Sequence, residues 1–424
     1  MISTSQNATL MRSGTVPGTV AGSVAGSPNI LPATVPTAQR GWGTVKDQPI
    51  APPEASLPRG VNFYADFSGC GYWRMIWPEQ ILNAYQKVIV HGSTVMIGDK
   101  NFYKGAKVVR IQRQATPAQM QFVQFLKNIQ DECGFKLVYE IDDVIFSEDI
   151  PDYNKFKPAF ADPVIRETSQ KIMGMCDEIT VTCDYMKGYY QKKTGNENIT
   201  VIPNFMPKFW MGHYYDEKKI KRKFDKHRKK PRILYPGSGA HFDVDNKAGQ
   251  IDDFAHVLDA VHRTRDKYQW VFMGGFPIRF GNIIQAGQME YIPWKALYDY
   301  PQAIDDADVN LIIAPLIDSP FNNSKSDLKY IESCAYGLPS VCQDIHTYKN
   351  APYKFTTGDE MISQIETLLK SKDTYMKASR KARSVAEGRW LENPDNIGMY
   401  KELYTLPYMD KDRKLLNKVN NISI

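Results

Sequence analysis

Residues 308–342 read DVNLIIAPLIDSPFNNSKSDLKYIESCAYGLPSVC, and the fold is decided in this stretch. Residues 309–314 form a short, nearly all-apolar run, as a parallel strand buried on both faces requires. The next nine residues hold Pro315, Asp318, Ser319, Pro320, Asn322 and Asn323, which is loop chemistry. From Ser326 the apolar residues Leu328, Ile331 and Ala335 recur at helical spacing, and Gly337 and Pro339 stop the helix in the usual order. Strand, loop, helix and strand in that succession indicate an α/β protein with a parallel sheet.

The other face of that helix carries the chemistry. Lys325, Lys329, Glu332 and Tyr336 are spaced four, three and four apart, so the pattern lines them along one stripe. Two lysines at a helix N-terminus, where free N–H groups and the helix dipole already favour anions, suit a diphosphate. A carboxylate one turn further in can accept hydrogen bonds from the vicinal hydroxyls of a ribose. On spacing alone the plainer reading is a solvated face with an i,i+3 Lys–Glu pair. The loop's position just past a parallel strand's carboxyl end shifts the balance, because open α/β sheets bind ligands there.

These residues also resemble a known signature. FNNSKSDLKYIESCAYGLPSV is similar to the donor-site motif of GT-B glycosyltransferases, in the retaining, family-4-like group that uses nucleotide sugars. The likeness is to a bacterial and phage branch whose motif reads N-x-x-K-S-x-x-K-x-x-E-x-x-A-x-G-x-P-x-V. The resemblance implies a fold of two Rossmann-like domains with a cleft between them and a C-terminal helix that crosses back. It implies that Glu332 holds the donor's ribose hydroxyls. Many relatives carry a second glutamate, facing the donor sugar, where this chain has Ser324.

At 424 residues the chain is long enough for two such domains. No apolar run approaches the roughly 18 residues of a membrane span, and MISTSQNATLM lacks the apolar core of a secretion signal. The six cysteines form no CxxC pair and have no histidine spacing suited to zinc, so reduced thiols, a cytoplasmic setting and no metal site are expected. For a phage-encoded protein that setting is the host cytoplasm. The net charge of +6 is local. Ten Lys/Arg and one Asp fall within residues 218–232, KKIKRKFDKHRKKPR; outside that run acids outnumber bases, 46 to 43.

Taken in order, residues 1–57 are rich in Gly, Ser, Thr, Ala, Val and Pro and read as a disordered low-complexity leader. Residues 58–205 are expected to form an N-terminal, acceptor-side domain. It begins with the strand GVNFYAD, then the tight loop SGCGYWR and a helix from about residue 77. The loop resembles the family's acceptor-facing loop, which singles out Gly69, Gly71 and Arg74; a helix-start surface residue is the equal alternative for Arg74. VYEIDDVIF ends a strand in Asp142 and Asp143, paired carboxylates that can serve as a general base, bind a cation or cap the next segment. Residues 206–231 are expected as a basic interdomain linker. Residues 232–385 form the expected nucleotide-sugar domain, opening on RILYPGSGAHFD. There Gly237 and Ser238 lie in a turn whose backbone can approach phosphate, and His241 and Asp243 resemble a family loop. A helix is expected over 250–265. Tyr291 and Trp294 are candidates for holding the nucleotide base. Residues 359–369 and 372–390 read as two helices, and residues 386–424 supply the crossover helix and tail, with 384–404 fitting the helix that crosses back.

The chemistry implied is transfer of a hexosyl or pentosyl group from a UDP- or GDP-linked sugar, with retention and with no tightly bound cofactor. Breaking the sugar–oxygen bond needs preorganised positive charge at the leaving diphosphate. Lys325 and Lys329 supply it, and Asp142, Asp143 or His241 can assist. The acceptor stays open. Lys221, Arg222, Lys223, Arg228, Lys229 and Lys230, with Phe209, Trp210, Tyr214 and Tyr215 nearby, suit a polyanion. One reading is therefore glycosylation of hydroxymethylated bases in phage double-stranded DNA. The alternatives are a cell-surface or lipid-linked glycan transferase making peripheral contact with an anionic membrane, and a non-catalytic nucleic-acid-binding protein on the same scaffold. A solvated basic loop is the plain counterpart to all three.

Overall fold

A computed structural model describes residues 58–85, 88–243 and 251–405; the expected leader and most of the tail lie outside them. Among the described residues the chain forms two six-stranded parallel sheets, each flanked by helices. The first comprises β1 (Arg59–Phe63), β2 (Ile89–Ser93), β3 (Ala106–Gln112), β4 (Lys136–Glu140), β5 (Glu178–Val181) and β6 (Ile199–Val201), in the order β2-β1-β3-β4-β5-β6. The second comprises β7 (Arg232–Gly237), β8 (Gln269–Gly274), β9 (Glu290–Ile292), β10 (Leu311–Ala314), β11 (Ser340–Gln343) and β12 (Lys354–Phe355), in the order β12-β11-β10-β7-β8-β9. This is the GT-B architecture.

Both orders reverse once. The chain leaves β1 for β2 on one side and returns to β3 on the other; likewise it leaves β7 for β8 and β9, then returns to β10. At such a reversal the two adjoining loops diverge and open a crevice at the strands' carboxyl ends. The first crevice lies beyond β1 and β3, the second beyond β7 and β10.

Strand β10 is apolar on both faces and fully buried, as a parallel strand between helix layers must be; β4 is fully buried too but carries Lys136 and Glu140, and β3 exposes only Lys107. The helix Leu328–Ala335 buries Tyr330, Ile331, Cys334 and Ala335, and the Arg383 guanidinium donates to the Ala335 carbonyl at 3.1 Å, satisfying one of its last acceptors. Gly337 follows at φ +66°, and a Cβ there would meet the Tyr215 ring at 2.5 Å. Both facts demand glycine. A tryptophan cluster of Trp73, Trp77 and Trp210, with Tyr300 beside it, packs the first half onto the second.

Four expectations need correction. The segment after β1 is not a loop: it is helical from Gly69 and passes through a π-helical turn, Tyr72–Ile76, into the helix Trp77–Ala84. The wide turn lets Trp73 and Arg74 point into the core together. The segment expected as a linker contains the helices Lys208–Met211 and Glu217–Lys226. Asp216 caps the second, accepting from the Lys218 and Lys219 N–H groups, and Ile220 and Phe224 one turn apart pack on Tyr375 and Met376. Where a helix was expected over 250–265, the described part is helical only over Leu258–Arg263, because Asp252 and Asp253 bond to the neighbouring loop instead. The helices expected over 359–369 and 372–390 are present as Gly358–Leu369 and Lys372–Gly388, but the crossing helix expected over 384–404 begins only at Pro394 and runs to Thr405. Trp390 tucks into the core between the last two, and Pro394 starts the final one where its missing N–H costs nothing.

That final helix does cross to the first half. The Tyr404 hydroxyl donates to the Asn62 amide oxygen at 2.5 Å, and Gly60 lets the ring lie against β1, since a Cβ there would sit 2.5 Å from it. Among the described residues no helix is long and apolar enough to cross a membrane.

Candidate active site

At the second crevice, the turn after β7 brings Ser238 and His241 opposite the loop that follows β10. The Ser238 hydroxyl accepts from the Ala240 N–H and closes a single 3-10 turn, Gly239–His241. His241 Nδ1 lies 2.8 Å from Oδ2 of Asp253 and its Nε2 lies 3.2 Å from the Lys329 ammonium. The second contact requires a lone pair on Nε2, so the hydrogen-bond partners assign the ring as the neutral Nδ1–H tautomer. Burial, reinforced by Lys329, pushes the His241 pKa down to about 4, in agreement with a neutral ring.

Asp253 is the centre of this arrangement. It is buried, and its Oδ1 accepts from the Tyr153 hydroxyl at 2.7 Å, the Asn322 amide at 2.6 Å and the Ile317 N–H at 3.0 Å. Burial alone would raise its pKa, but these donors and His241 hold it below the usual carboxylate range. Tyr153 belongs to the first half of the molecule and the other donors to the second. The sequence reading missed Asp253, because residues 252–253 fell inside an expected helix where an Asp pair looks like solvated surface.

Lys329 and Glu332 sit three apart on the helix Leu328–Ala335 and both face the crevice. Burial, then Lys325, lowers the Lys329 pKa to about 8. Burial pushes the Glu332 carboxyl up to about 7, although the Tyr300 hydroxyl, donating at 2.9 Å, and Lys329 pull the other way. The four-residue stripe expected from spacing is shorter in fact. Lys325 precedes the helix, in the turn after Pro320–Asn323, and Tyr336 is buried with its hydroxyl on the Pro301 carbonyl. Lys325 reaches across to the first half, 3.8 Å from Oδ1 of Asp143 and 4.2 Å above the Phe321 ring. Burial raises the Asp143 pKa, and Lys325 opposes that rise.

Ser324 does not face the crevice. It is fully buried and its hydroxyl donates to the Pro320 carbonyl at 2.7 Å, closing the short turn beneath Lys325. Gly237 lies at the end of β7, close to Gly274, whose φ of +89° calls for glycine and where a Cβ would sit 2.8 Å from the Gly237 carbonyl. Over Gly274 stands Trp294, 68% exposed, and Tyr291 beside it is 39% exposed. Two open aromatic faces at the end of β8 are able to stack on a planar base. Asp243, in the same loop as His241, is buried, and its backbone N–H donates to Oδ2 of Asp252 at 3.1 Å.

At the first crevice, Asp66 after β1 and Arg113 after β3 form an ion pair, and Arg113 Nε stands 3.8 Å from Asp142. Arg113 holds φ at +47°, an uncommon conformation for a non-glycine residue. Neither Asp66 nor Arg113 was singled out from sequence; their place beside the strand-order reversal is the signal that finds them. Gly71 donates its N–H to Asp66 at 3.1 Å, and a Cβ there would meet the Asp66 carbonyl at 2.0 Å. Gly69 has open space around it.

Arg74 fits neither expectation placed on it. It is 0% exposed, beneath the loop, donating to Glu140 at 2.6 Å, the Ile202 carbonyl at 2.6 Å and the Asn204 side chain at 2.9 Å. Arg110 shares Glu140 from the other side. These are structural ions, a correction to the acceptor-loop reading.

The basic run is divided by its helix. Lys223 is buried, 3.7 Å from Asp305 and 3.8 Å from Asp308, which removes it from any nucleic-acid surface. Lys226 and His227 also pair with Asp308. Lys221, Arg222, Arg228, Lys229 and Lys230 remain exposed. Asp308 precedes β10 and Arg232 opens β7, so the helix sits at the amino end of that sheet, about 20 Å from the carboxyl end of the six-residue β7 at 3.3 Å per strand residue. The basic face and the crevice lie at opposite ends.

No protein-family model matches this chain, and no curated protein matches it. Among solved structures, Anabaena HepE in complex with UDP and glucose is 10% identical and superimposes with a TM-score of 0.54, covering 83% of this chain and 100% of that one. Anabaena HepE in complex with UDP-glucose gives 9% identity and a TM-score of 0.55, covering 82% and 100%. At these identities the shared property is the fold.

Proposed function

We propose that this chain is a glycosyltransferase that moves a hexose from UDP to an acceptor hydroxyl. The observation that carries the reading is the convergence of Lys325, Lys329 and Glu332 at the crevice beside β7 and β10, with Asp143 of the other half 3.8 Å from Lys325. Two ammonium groups in a partly desolvated crevice stabilise the charge that develops on a departing diphosphate, and they are in place before the bond breaks. Glu332 accepts from the ribose, Trp294 or Tyr291 stacks on the base, and the sugar is left pointing toward the first half. UDP is the nucleotide bound by HepE, which supports a uridine over a guanosine donor.

The acceptor enters from the first crevice, where Asp66, Arg113, Asp142 and Asp143 gather. Transfer with retention, as the sequence resemblance implies, lets the donor's own phosphate oxygen take the acceptor proton while Asp143 orients the hydroxyl. A glycan acceptor suits this site better than DNA, because the exposed lysines and arginines lie at the far end of the second sheet. Isothermal titration with UDP and GDP, followed by hydrolysis of UDP-hexoses without acceptor, tests the reading. UDP binding and slow hydrolysis that both fail in Lys329→Ala support it; a protein that binds neither nucleotide refutes it.

A further inference from the structure

We propose that Asp253 is a positioning residue: clamped between the two halves by Tyr153 and Asn322, it fixes His241 so that Nε2 receives Lys329 and aims the ammonium at the donor diphosphate. The proposal rests on the nucleotide-sugar reading above and assigns the part of the site that reading leaves without a role. Asp253 is 1% exposed, and the neutral His241 ring donates to it from Nδ1 at 2.8 Å. A buried carboxylate without a direct cation is costly unless its oxygens are fully hydrogen-bonded. Here four donors converge on it from residues 153, 241, 317 and 322. Its compensating charge is Lys329, reached only through the neutral imidazole.

The clamp has a consequence for motion between the halves. Tyr153 is the one donor of the four that comes from the first half, and its hydroxyl also lies 3.3 Å from the Asn322 amide. Separating the halves withdraws that donor, and closing them restores it, so the aim of Lys329 is set when the crevice is shut. Lys329 also faces Lys325 and Glu332 from its own segment, the Tyr235 ring from β7 at 5.7 Å, and Cys342 from β11. Of these groups and Asp253, the two carboxylates favour its charged form and Lys325 opposes it.

The test is the pH dependence of UDP affinity between pH 6.5 and 9.5. In the wild type, affinity falls as Lys329 loses its proton near pH 8. Asp253→Asn removes an anion that raises the lysine pKa, so the alkaline midpoint moves down by roughly one unit. UDP binding at pH 8.5 then weakens by about tenfold relative to wild type. Damage to the fold alone lowers the bound fraction equally at every pH and leaves the midpoint in place. An unchanged midpoint in folded Asp253→Asn overturns the proposal. Should that variant not fold, nitrogen-15 histidine spectra of the wild type decide, with His241→Gln to assign the signal. A neutral Nδ1–H ring at pH 7 whose Nε2 signal shifts in Lys329→Met supports the relay; an Nε2–H or charged ring overturns it. If the wild type binds no UDP, the functional reading fails, and the same spectra still judge the relay.

Discussion

Lys325 of the second half and Asp143 of the first stand 3.8 Å apart across the crevice, near enough for attraction and too far for a hydrogen bond. The pair links the turn after Pro320–Asn323 to the carboxyl end of β4. Burial holds the Asp143 pKa up, and the lysine counteracts it, so the carboxylate depends on a cation that a diphosphate would also claim. On the proposed reading, a bound diphosphate competes with Asp143 for Lys325 and leaves the carboxylate free to turn toward an acceptor.

That competition gives the first prediction. Asp143→Asn should bind UDP more tightly, by a few-fold, since one partly solvated ion pair is worth about 0.2–1 kcal/mol. Transfer to an acceptor should fall in the same protein. Titration calorimetry and product analysis on one preparation measure both, and tighter binding with undiminished transfer would remove Asp143 from the reaction.

Glu332 carries the second. If its carboxylate accepts the ribose hydroxyls, UDP should bind better than 2′-deoxy-UDP by about 1–3 kcal/mol, the cost of leaving a desolvated acceptor unpaired. Glu332→Gln should lose most of that discrimination while still binding UDP. Equal preference for the ribose form in wild type and variant would assign the hydroxyl contact elsewhere.

Much of this was legible in the sequence, and the failures have physical causes. The strand–loop–helix run at 308–342 was readable because short apolar strands and a 3.6-residue period leave little ambiguity, and Lys329 and Glu332 followed from it. Ser324 was misassigned because one buried hydroxyl bond turns it inward, which no local pattern announces. Arg74 was read as an acceptor-loop or helix-start surface residue and Glu140 was not singled out; their burial comes from the convergence of β3, β4 and a π-helical turn, a long-range effect. Asp253 and Tyr153, a hundred residues apart, meet only once both halves are folded. The basic run was conspicuous, yet half of its meaning lay in Asp305 and Asp308, eighty residues away.

The third prediction concerns stability. The Glu332 pKa rises from an ordinary 4.5 to about 7 on folding, so the folded state prefers the protonated carboxyl. Its contribution is present below about pH 4.5 and is lost as pH climbs through about 7. Glu332→Gln mimics the protonated form and loses nothing. Above pH 7 it should be the more stable protein, by about 1–2 kcal/mol once solvent screening of a half-buried group is allowed for. Below pH 4.5 the two should melt together. Calorimetry at pH 5 and pH 8 checks the sign, and a variant that is less stable at pH 8 would contradict it.

Glu140 gives the fourth. It neutralises one of two fully buried guanidiniums, Arg74 and Arg110, and burial would raise its pKa were those arginines not beside it. Glu140→Ala strands two cations in the core and should cost about 3–5 kcal/mol. Arg74→Met leaves the Arg110–Glu140 pair intact and should cost less. Urea midpoints rank the two variants, and the opposite order would mean that Arg74's bonds to Ile202 and Asn204 outweigh the charge balance.

The last prediction separates the basic face from the reaction. Lys221, Arg222, Lys229 and Lys230 are exposed, while their neighbours Lys223 and Lys226 pair with Asp305 and Asp308 at the amino end of the second sheet. A charge on this face is about 20 Å from the crevice by strand length, beyond the roughly 8 Å screening length at physiological salt. Replacing all four by serine should therefore leave UDP affinity within a factor of two and leave the melting temperature nearly unchanged. Retention on an anionic matrix should fall and lose its salt dependence, because each neutralised phosphate contact removes about one unit from the salt slope. If transfer to the true acceptor also collapses in this variant, the acceptor is a polyanion long enough to span both ends of the sheet, and the DNA reading returns with a measured reason.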